Sequence, residues 1–255
     1  SYPTIKEGDY VKGVITIDEF NGELEGNIDK FFKKQGEGKE KLEEIITHRL
    51  RKRAEIKDGT FLVKSPILDK LKKDFIAAAN EIRLAILQAR PIIVRHHNDT
   101  DGYSSGFALE RAIIPLIQKE HSNPKAAWEY FTRAPCAAPF YDIEDSIKDT
   151  ANSLRNAAKF SNKMPLIIIA DNGSTEQDLM AIQQAKIHGA DIIVIDHHKF
   201  DSDVVSKEVL VHINPFLVGE SGSSISAGQL CVEIASFINP DVENVSQIAA
   251  MAGLA

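Results

Sequence analysis

The sequence predicts an α/β fold: a mainly parallel sheet flanked by helices, preceded by a small N-terminal region that is β-rich and then helical. Three observations predict it. Apolar runs of strand length at residues 92–94, 166–170 and, after Asp191, 192–195 read as short buried strands. Stretches of helical pattern separate them, as in a parallel sheet built from strand–helix units. Each run also ends on Asp or His, and in an open parallel sheet ligands collect just beyond the carboxyl ends of the strands.

In chain order, residues 2–26 are strand-like. Tyr10, Val11, Val14, Ile15, Ile17, Phe20 and Leu24 are broken by Gly8, Gly13 and Asn21-Gly22, and Asn-Gly between apolar segments is a hairpin signal. Gly8-Asp-Tyr-Val-Lys-Gly-Val-Ile15 resembles the opening strand of an S1-like OB barrel, a module that binds single strands. A small packing module accounts for it equally well. Residues 39–57 are a charged helical stretch containing His48-Arg-Leu-Arg-Lys-Arg53, read as a solvated helix face rather than a phosphate track. Ser65-Pro66 opens the next helix in cap-then-first-turn order. Its apolar stripe is Ile67, Leu71, Phe75, Ile82 and Ile86, and Pro91 follows its end. The expected division is residues 1–64 as an extension and 65–255 as the main domain.

Residues 103–119 read as a helix that Pro115 kinks or breaks. Residues 128–132 read as an added strand with Trp128 in the core, and 141–158 as a helix. Ser174-Thr-Glu-Gln177 reads as a capping box opening a helix to His188, with Gly189 as its stop. Residues 209–213 supply a fourth strand, followed by Asn214-Pro215. Residues 219–228 form a Gly/Ser-rich loop leading into a helix through residue 238. His188 and His212 read as structural or surface residues.

At 255 residues and 43% hydrophobic, the chain can bury a sizeable core in one large α/β domain with or without a small companion. No apolar run approaches the roughly 18 residues of a membrane span, and no signal-peptide pattern opens the chain. Cys136 and Cys231 form no metal-spacing motif and read as buried fillers in a reducing compartment, so a cytoplasmic protein without membrane association is expected. The net charge of −7 is not that of a nucleic-acid sponge. Residues 1–90 carry 18 Lys and Arg against 16 Asp and Glu, and residues 91–255 carry 12 against 21. Divalent ions would offset part of that acidity.

The chemistry is concentrated in the three strand ends. The first carries His96, His97, Asp99 and Asp101 before Gly102, the second Asp171-Asn-Gly173, and the third Asp196-His197-His198. Four of the eight His residues sit in the two pairs. Carboxylates with an imidazole suit Mn²⁺ or Mg²⁺ rather than a thiolate-loving ion. Acids and histidines delivered by three strands to one edge are the constellation of a two-metal hydrolase. The 219–228 loop, with Gly222, Ser223 and Ser224, offers backbone N–H groups to a phosphate.

The triplet Asp196-His197-His198 resembles the signature of the DHH phosphoesterase superfamily; His97-Asn-Asp99-Thr-Asp101-Gly102 matches its first motif and Asp171-Asn-Gly173 its second. The match covers roughly residues 91–255 and is most similar to archaeal RecJ-like single-strand exonucleases. The resemblance implies that His97 and Asp99 hold one metal, Asp101 and His197 the other, and Asp171 bridges them. It implies Asp196 orienting His197, and His198 donating to the scissile phosphate. Two ions about 3.5–4 Å apart activate water and neutralise charge on the phosphate. No Ser elbow or candidate nucleophilic Cys is present.

A fourth-motif Asp and a C-terminal clamp domain of that superfamily have no counterpart here. The chain opens without Met and stops within the apolar run 248–255, so it is expected to be a piece of a longer protein that continues with Asp. Two ions are then expected in the full-length protein. The piece alone would bind at most one tightly and hydrolyse little. The expected partners are single-stranded DNA or RNA, with replication or repair proteins as further candidates. The alternatives are a DHH hydrolase of pyrophosphate, cyclic dinucleotides or very short RNAs, and a replication-complex scaffold that has lost catalysis.

Overall fold

The computed structural model describes residues 5–6, 9–20, 23–57, 59–157 and 163–254. The chain forms two compact units, Ser1–Arg53 and Ala54–Ala255.

In the first unit, β1 (Val11–Phe20) and β2 (Glu23–Lys33) pair antiparallel, from Val11 opposite Lys33 to Phe20 opposite Glu23, with a register shift between Val14 and Ile15. The expected Asn21-Gly22 turn lies outside the described residues. Among the described residues this unit holds only these two strands, so the S1-like opening is not continued into a barrel within it. Helix α1 (Glu37–Ala54) has Glu37 and Glu40 in its first turn and Arg51, Lys52 and Arg53 in its last, matching the helix dipole at both ends. The 48–53 basic cluster lies on this largely exposed helix.

The second unit is the expected parallel sheet. Its order is β4 (Phe131–Pro135), β3 (Ile92–His96), β5 (Leu166–Ala170), β6 (Asp191–Ile195), β7 (Val211–Ile213), all neighbours parallel. The inner strands β5 and β6 are apolar but for Asp191, because helices cover both faces. Strand β3 ends on Arg95 and His96, and the edge strands β4 and β7 carry Thr132, Arg133 and His212. Successive side chains alternate: Ile92, Val94, Leu166, Ile168, Ile193 and Ile195 enter one core, and Ile93, Ile167, Ile169, Ile192 and Val194 the other. The first core is closed by α2 (Pro66–Leu87), α3 (Thr100–Glu120) and α7 (Ala227–Ile238), with α8 (Val245–Ala252) packed on α3 and α7. The second is covered by α5 (Ile143–Ala157) and α6 (Glu176–Ile187). Under it, Arg95 is buried and bonds Asp149 through Nε at 2.9 Å and a terminal nitrogen at 2.5 Å, with Asp145 at 3.3 Å.

Four local expectations need correction. Helix α3 runs through Pro115 unbroken; Pro115 and Arg111, whose carbonyl loses its partner, are on the exposed side, where water can replace the missing N–H. Residues 126–130 form a short helix, α4 (Ala126–Tyr130), and the edge strand β4 starts only at Phe131. Trp128 is 87% exposed rather than core, because one turn of helix before an edge strand points it away from the sheet. The cap of α6 is Thr175, one residue later than expected: Asp178 accepts from the Thr175 amide at 2.9 Å and hydroxyl at 2.6 Å. Ser174 is drawn inward instead, to His212 Nε2 at 2.9 Å. Among the described residues, no helix is long and apolar enough to cross a membrane.

Candidate metal centre

The sheet itself assembles the site. The residue after each strand is tied to the next strand: the His97 amide to the Ala170 carbonyl at 3.2 Å, Asp171 to Ile195 at 2.9 Å, and Asp196 to Ile213 at 2.9 Å. His97, Asp171 and Asp196 therefore stand in a row along the carboxyl edge. Strand order reverses at β3, since β4 lies to one side and β5 to the other. That reversal opens a crevice between the ends of β3 and β5, where ligands bind in such folds. Asp171 turns the chain there with a left-handed φ of 62°, a conformation Asp adopts more readily than most residues.

Among the described residues, two groups of side chains offer ligand atoms within 4.8 Å of one another: His97, Asp99 and Asp171, and Asp171, His197 and His198. Asp171 is common to both. Its Oδ2 lies 3.7 Å from His97 Nδ1, while its Oδ1 lies 3.5 Å from His197 Nε2 and 3.8 Å from His198 Nδ1. The residue is 1% exposed, yet neither carboxylate oxygen has a hydrogen-bond partner among the described residues. An orphaned buried carboxylate costs several kcal/mol (about 1–3, and more for a charged group). A divalent cation on each side would satisfy both oxygens, and an oxygen-rich set with imidazoles fits Mn²⁺ or Mg²⁺.

The flanking residues are held by the turns around them. Asp99 caps α3, its Oδ1 accepting from the Gly102 amide at 2.9 Å. A Cβ on Gly102 would fall 2.2 Å from the His97 carbonyl oxygen, so this tight first turn excludes any side chain. His97 Nδ1 and Asp99 Oδ2 are 2.9 Å apart. Asp101 accepts from the first amides of α7, Gly228 at 2.7 Å and Ala227 at 3.0 Å, and is 3.6 Å from His197 Nε2. Of the residues the sequence nominates, Asp101 is thus beside the cluster with its oxygens on a helix N-terminus, and His198 stands in the second triplet with its Nδ1 on Asp196.

One nominated role differs. The Asp196 carboxylate orients His198, not His197: its Oδ1 accepts from His198 Nδ1 at 2.8 Å and from the His197 and His198 amides at 2.8 and 3.1 Å. The chain curls around this buried oxygen, which puts the second ring, not the first, within reach. The His197 ring is oriented by the Gly222 carbonyl, 3.0 Å from Nδ1, leaving Nε2 for Asp171. Gly222 therefore presents its carbonyl to a histidine, whereas the sequence suggests an amide for phosphate. Ser223 and Ser224 are exposed, and with Asp99, Asp171 and His198 they line a 540 Å³ cleft.

The charges are interdependent. Burial, with the Asp101, Asp196 and Asp99 charges, lifts Asp171 to about 6 despite His197 beside it. Burial alone would depress His197, but Asp171, the Gly222 carbonyl and Asp101 outweigh it and raise the imidazole to about 9. The Asp196 hydrogen bond raises His198. Burial pushes Asp99 up, but the Gly102 amide and His97 hold it below the usual carboxylate range.

Sequence reasoning missed Asn214 as part of this site. It is fully buried; its amide donates to the His198 carbonyl and to Ser174 Oγ, both at 3.0 Å. It follows β7 just as Asp171 follows β5, so the strand-end pattern that found the others pointed to it too.

The DHH family, N-terminal domain model matches residues 91–254. The uncharacterized protein MJ1198 of Methanocaldococcus jannaschii is 45% identical over 251 residues, which is 96% of this chain and 33% of that protein. A solved structure described as the DHH domain of PF0399, a member of the s1p family of ribosomal proteins, is 43% identical with a TM-score of 0.80, covering 84% of this chain and 50% of that one. Exonuclease RecJ bound to manganese shares the fold with a TM-score of 0.53 at 14% identity, over 78% of this chain and 45% of that one. The chain spans a third of MJ1198 and half or less of these two chains. Its match to the family model and its three strand-end motifs place it plainly: the chain belongs to the DHH family.

Proposed function

We propose that this chain carries the catalytic centre of a metal-dependent phosphodiesterase that hydrolyses single-stranded nucleic acid, in the cytoplasm, with two Mn²⁺ or Mg²⁺ ions. The observation that carries the proposal is Asp171: buried, with both oxygens unpartnered, between His97 and Asp99 on one side and His197 and His198 on the other. DHH proteins are phosphoesterases, and the fold is shared with an exonuclease whose structure holds manganese.

His97, Asp99 and Asp171 would hold one ion, and Asp171 and His197, with Asp101 adjacent, the other. When bound, such a pair activates water and neutralises charge on the attacked phosphate and leaving oxygen. The chain's own residues supply the rest. Gly222 fixes His197 in the tautomer that leaves Nε2 unprotonated for binding. Asp196 accepts from His198 Nδ1 and favours the charged ring, and in that imidazolium Nε2–H is free to donate to a phosphate oxygen. Asn214 holds the main chain of His198 from behind. Ser223 and Ser224 line the same cleft and complete the substrate side.

The test is Mn²⁺-dependent release of nucleotides by the intact protein from a labelled single-stranded oligonucleotide, run beside pyrophosphate. Hydrolysis of the oligonucleotide, lost in Asp171→Asn, supports the proposal. Turnover of pyrophosphate alone would assign the site to small phosphates, and no turnover of either would make the domain a scaffold.

A further inference from the structure

We infer that a second groove, continuous with the metal cleft, is a track for unpaired nucleobases, with Tyr103 and Phe107 as stacking platforms and Arg111 as a phosphate anchor. The inference rests on the nucleic-acid reading above and adds where the strand lies.

The groove encloses 840 Å³ between α3 and α8. Asp99 borders both it and the metal cleft, and α8 does the same, since Ile248 and Met251 line the groove while Ala252 lines the cleft. A strand whose phosphate sits at Asp171 therefore has an open path along α3. A pyrophosphate would leave this space empty.

The wall chemistry suits bases. Tyr103, Phe107 and Arg111 are spaced by four residues, so they share one face of α3 at intervals of roughly 6 Å along its axis. Tyr103 is 45% and Phe107 42% exposed, in a unit that buries Phe75 and Tyr141 completely. His96 braces the Tyr103 ring, the centroids 4.8 Å apart. Across the groove, Met251 offers a soft apolar surface.

The two cations of the groove differ. Arg133 is neutralised by Glu110 at 2.5 Å. The Arg111 guanidinium makes one hydrogen bond, to the Glu243 carbonyl at 3.3 Å, and no ion pair among the described residues. A cation without a counter-charge, beside two open aromatic rings, matches single-strand recognition: bases stack whatever their identity, and the cation takes the backbone.

The test compares binding of fluorescent oligothymidylate with an abasic oligomer of the same length, with Ca²⁺ in place of Mn²⁺ to suppress cleavage. The wild type should prefer the thymidylate by at least the 5- to 150-fold that one stacked base supplies. Tyr103→Ala and Phe107→Ala should each shrink that preference severalfold. Tyr103→Phe should restore it and Tyr103→Leu should not, which separates stacking from mere packing. Arg111→Gln should weaken both oligomers alike. A base preference that survives Tyr103→Ala and Phe107→Ala, or that Leu restores, overturns the track while leaving the nuclease reading intact. An intact wild type that cleaves no oligonucleotide with Mn²⁺ overturns that reading, and the track with it.

Discussion

Replacing Asp171 with Asn should stabilise the metal-free protein near neutral pH while destroying its response to metal. Asp171 is buried among Asp99, Asp101 and Asp196, and is raised from 3.8 to about 6. That difference corresponds to about 3 kcal/mol of penalty on the ionised form. The sign follows from linkage: a carboxyl whose folded value is raised costs nothing below about pH 4, and its cost grows until it is complete above about pH 6. Asn is the neutral isostere, so the two proteins should be about equally stable near pH 4 and the variant ahead by about 3 kcal/mol above neutrality. Mn²⁺ at a hundredfold excess over its dissociation constant should add about 2.7 kcal/mol to the wild type and nothing comparable to the variant. Urea unfolding followed by circular dichroism, with EDTA and then with Mn²⁺, measures all of this. A variant that is no more stable at any pH, or that Mn²⁺ stabilises as much as the wild type, would refute the reasoning.

Metal binding should release protons. His197, raised to about 9, is largely protonated at neutral pH and must become neutral to bind. Mn²⁺ affinity should therefore rise with pH toward 9 and fall further as Asp171 protonates below about 6; calorimetry in two buffers of different ionisation heat counts the protons, and a pH-independent affinity would contradict this. Gly222→Ala would place a Cβ 1.8 Å from the His197 carbonyl oxygen and push the loop off that ring. A 10- to 100-fold loss of Mn²⁺ affinity, as for other residues that orient a ligand, with an unchanged circular dichroism spectrum, is the expected result. Arg95→Met strands Asp145 and Asp149 without their buried cation, and should cost about 3–5 kcal/mol in urea unfolding.

The strands were legible because a doubly covered parallel strand has no polar face to disguise it: residues 92–94, 166–170 and 192–195 are unbroken apolar runs. The site was legible for the complementary reason that Asp171 and Asp196 directly follow such runs, where folding gains nothing from a charge. The order β4-β3-β5-β6-β7 was not, because adjacency depends on which strand ends meet in space. Trp128 misled because size alone does not say which way a single helical turn points. The capping box slipped by one residue because Ser174 has a tertiary partner, His212. Asp196 was paired with the wrong ring because three consecutive residues contain two histidines, and only the curl of the main chain around its carboxylate decides between them.

The central claim is that Asp171 is shared by two ions. Crystals of the intact protein grown with saturating Mn²⁺, and diffraction recorded at the manganese edge, would locate every bound ion directly. The account predicts two anomalous peaks, one beside His97 and Asp99 and the other beside His197, with the Asp171 carboxylate in contact with both. Peaks elsewhere, or an Asp171 that touches one ion or none, would contradict it.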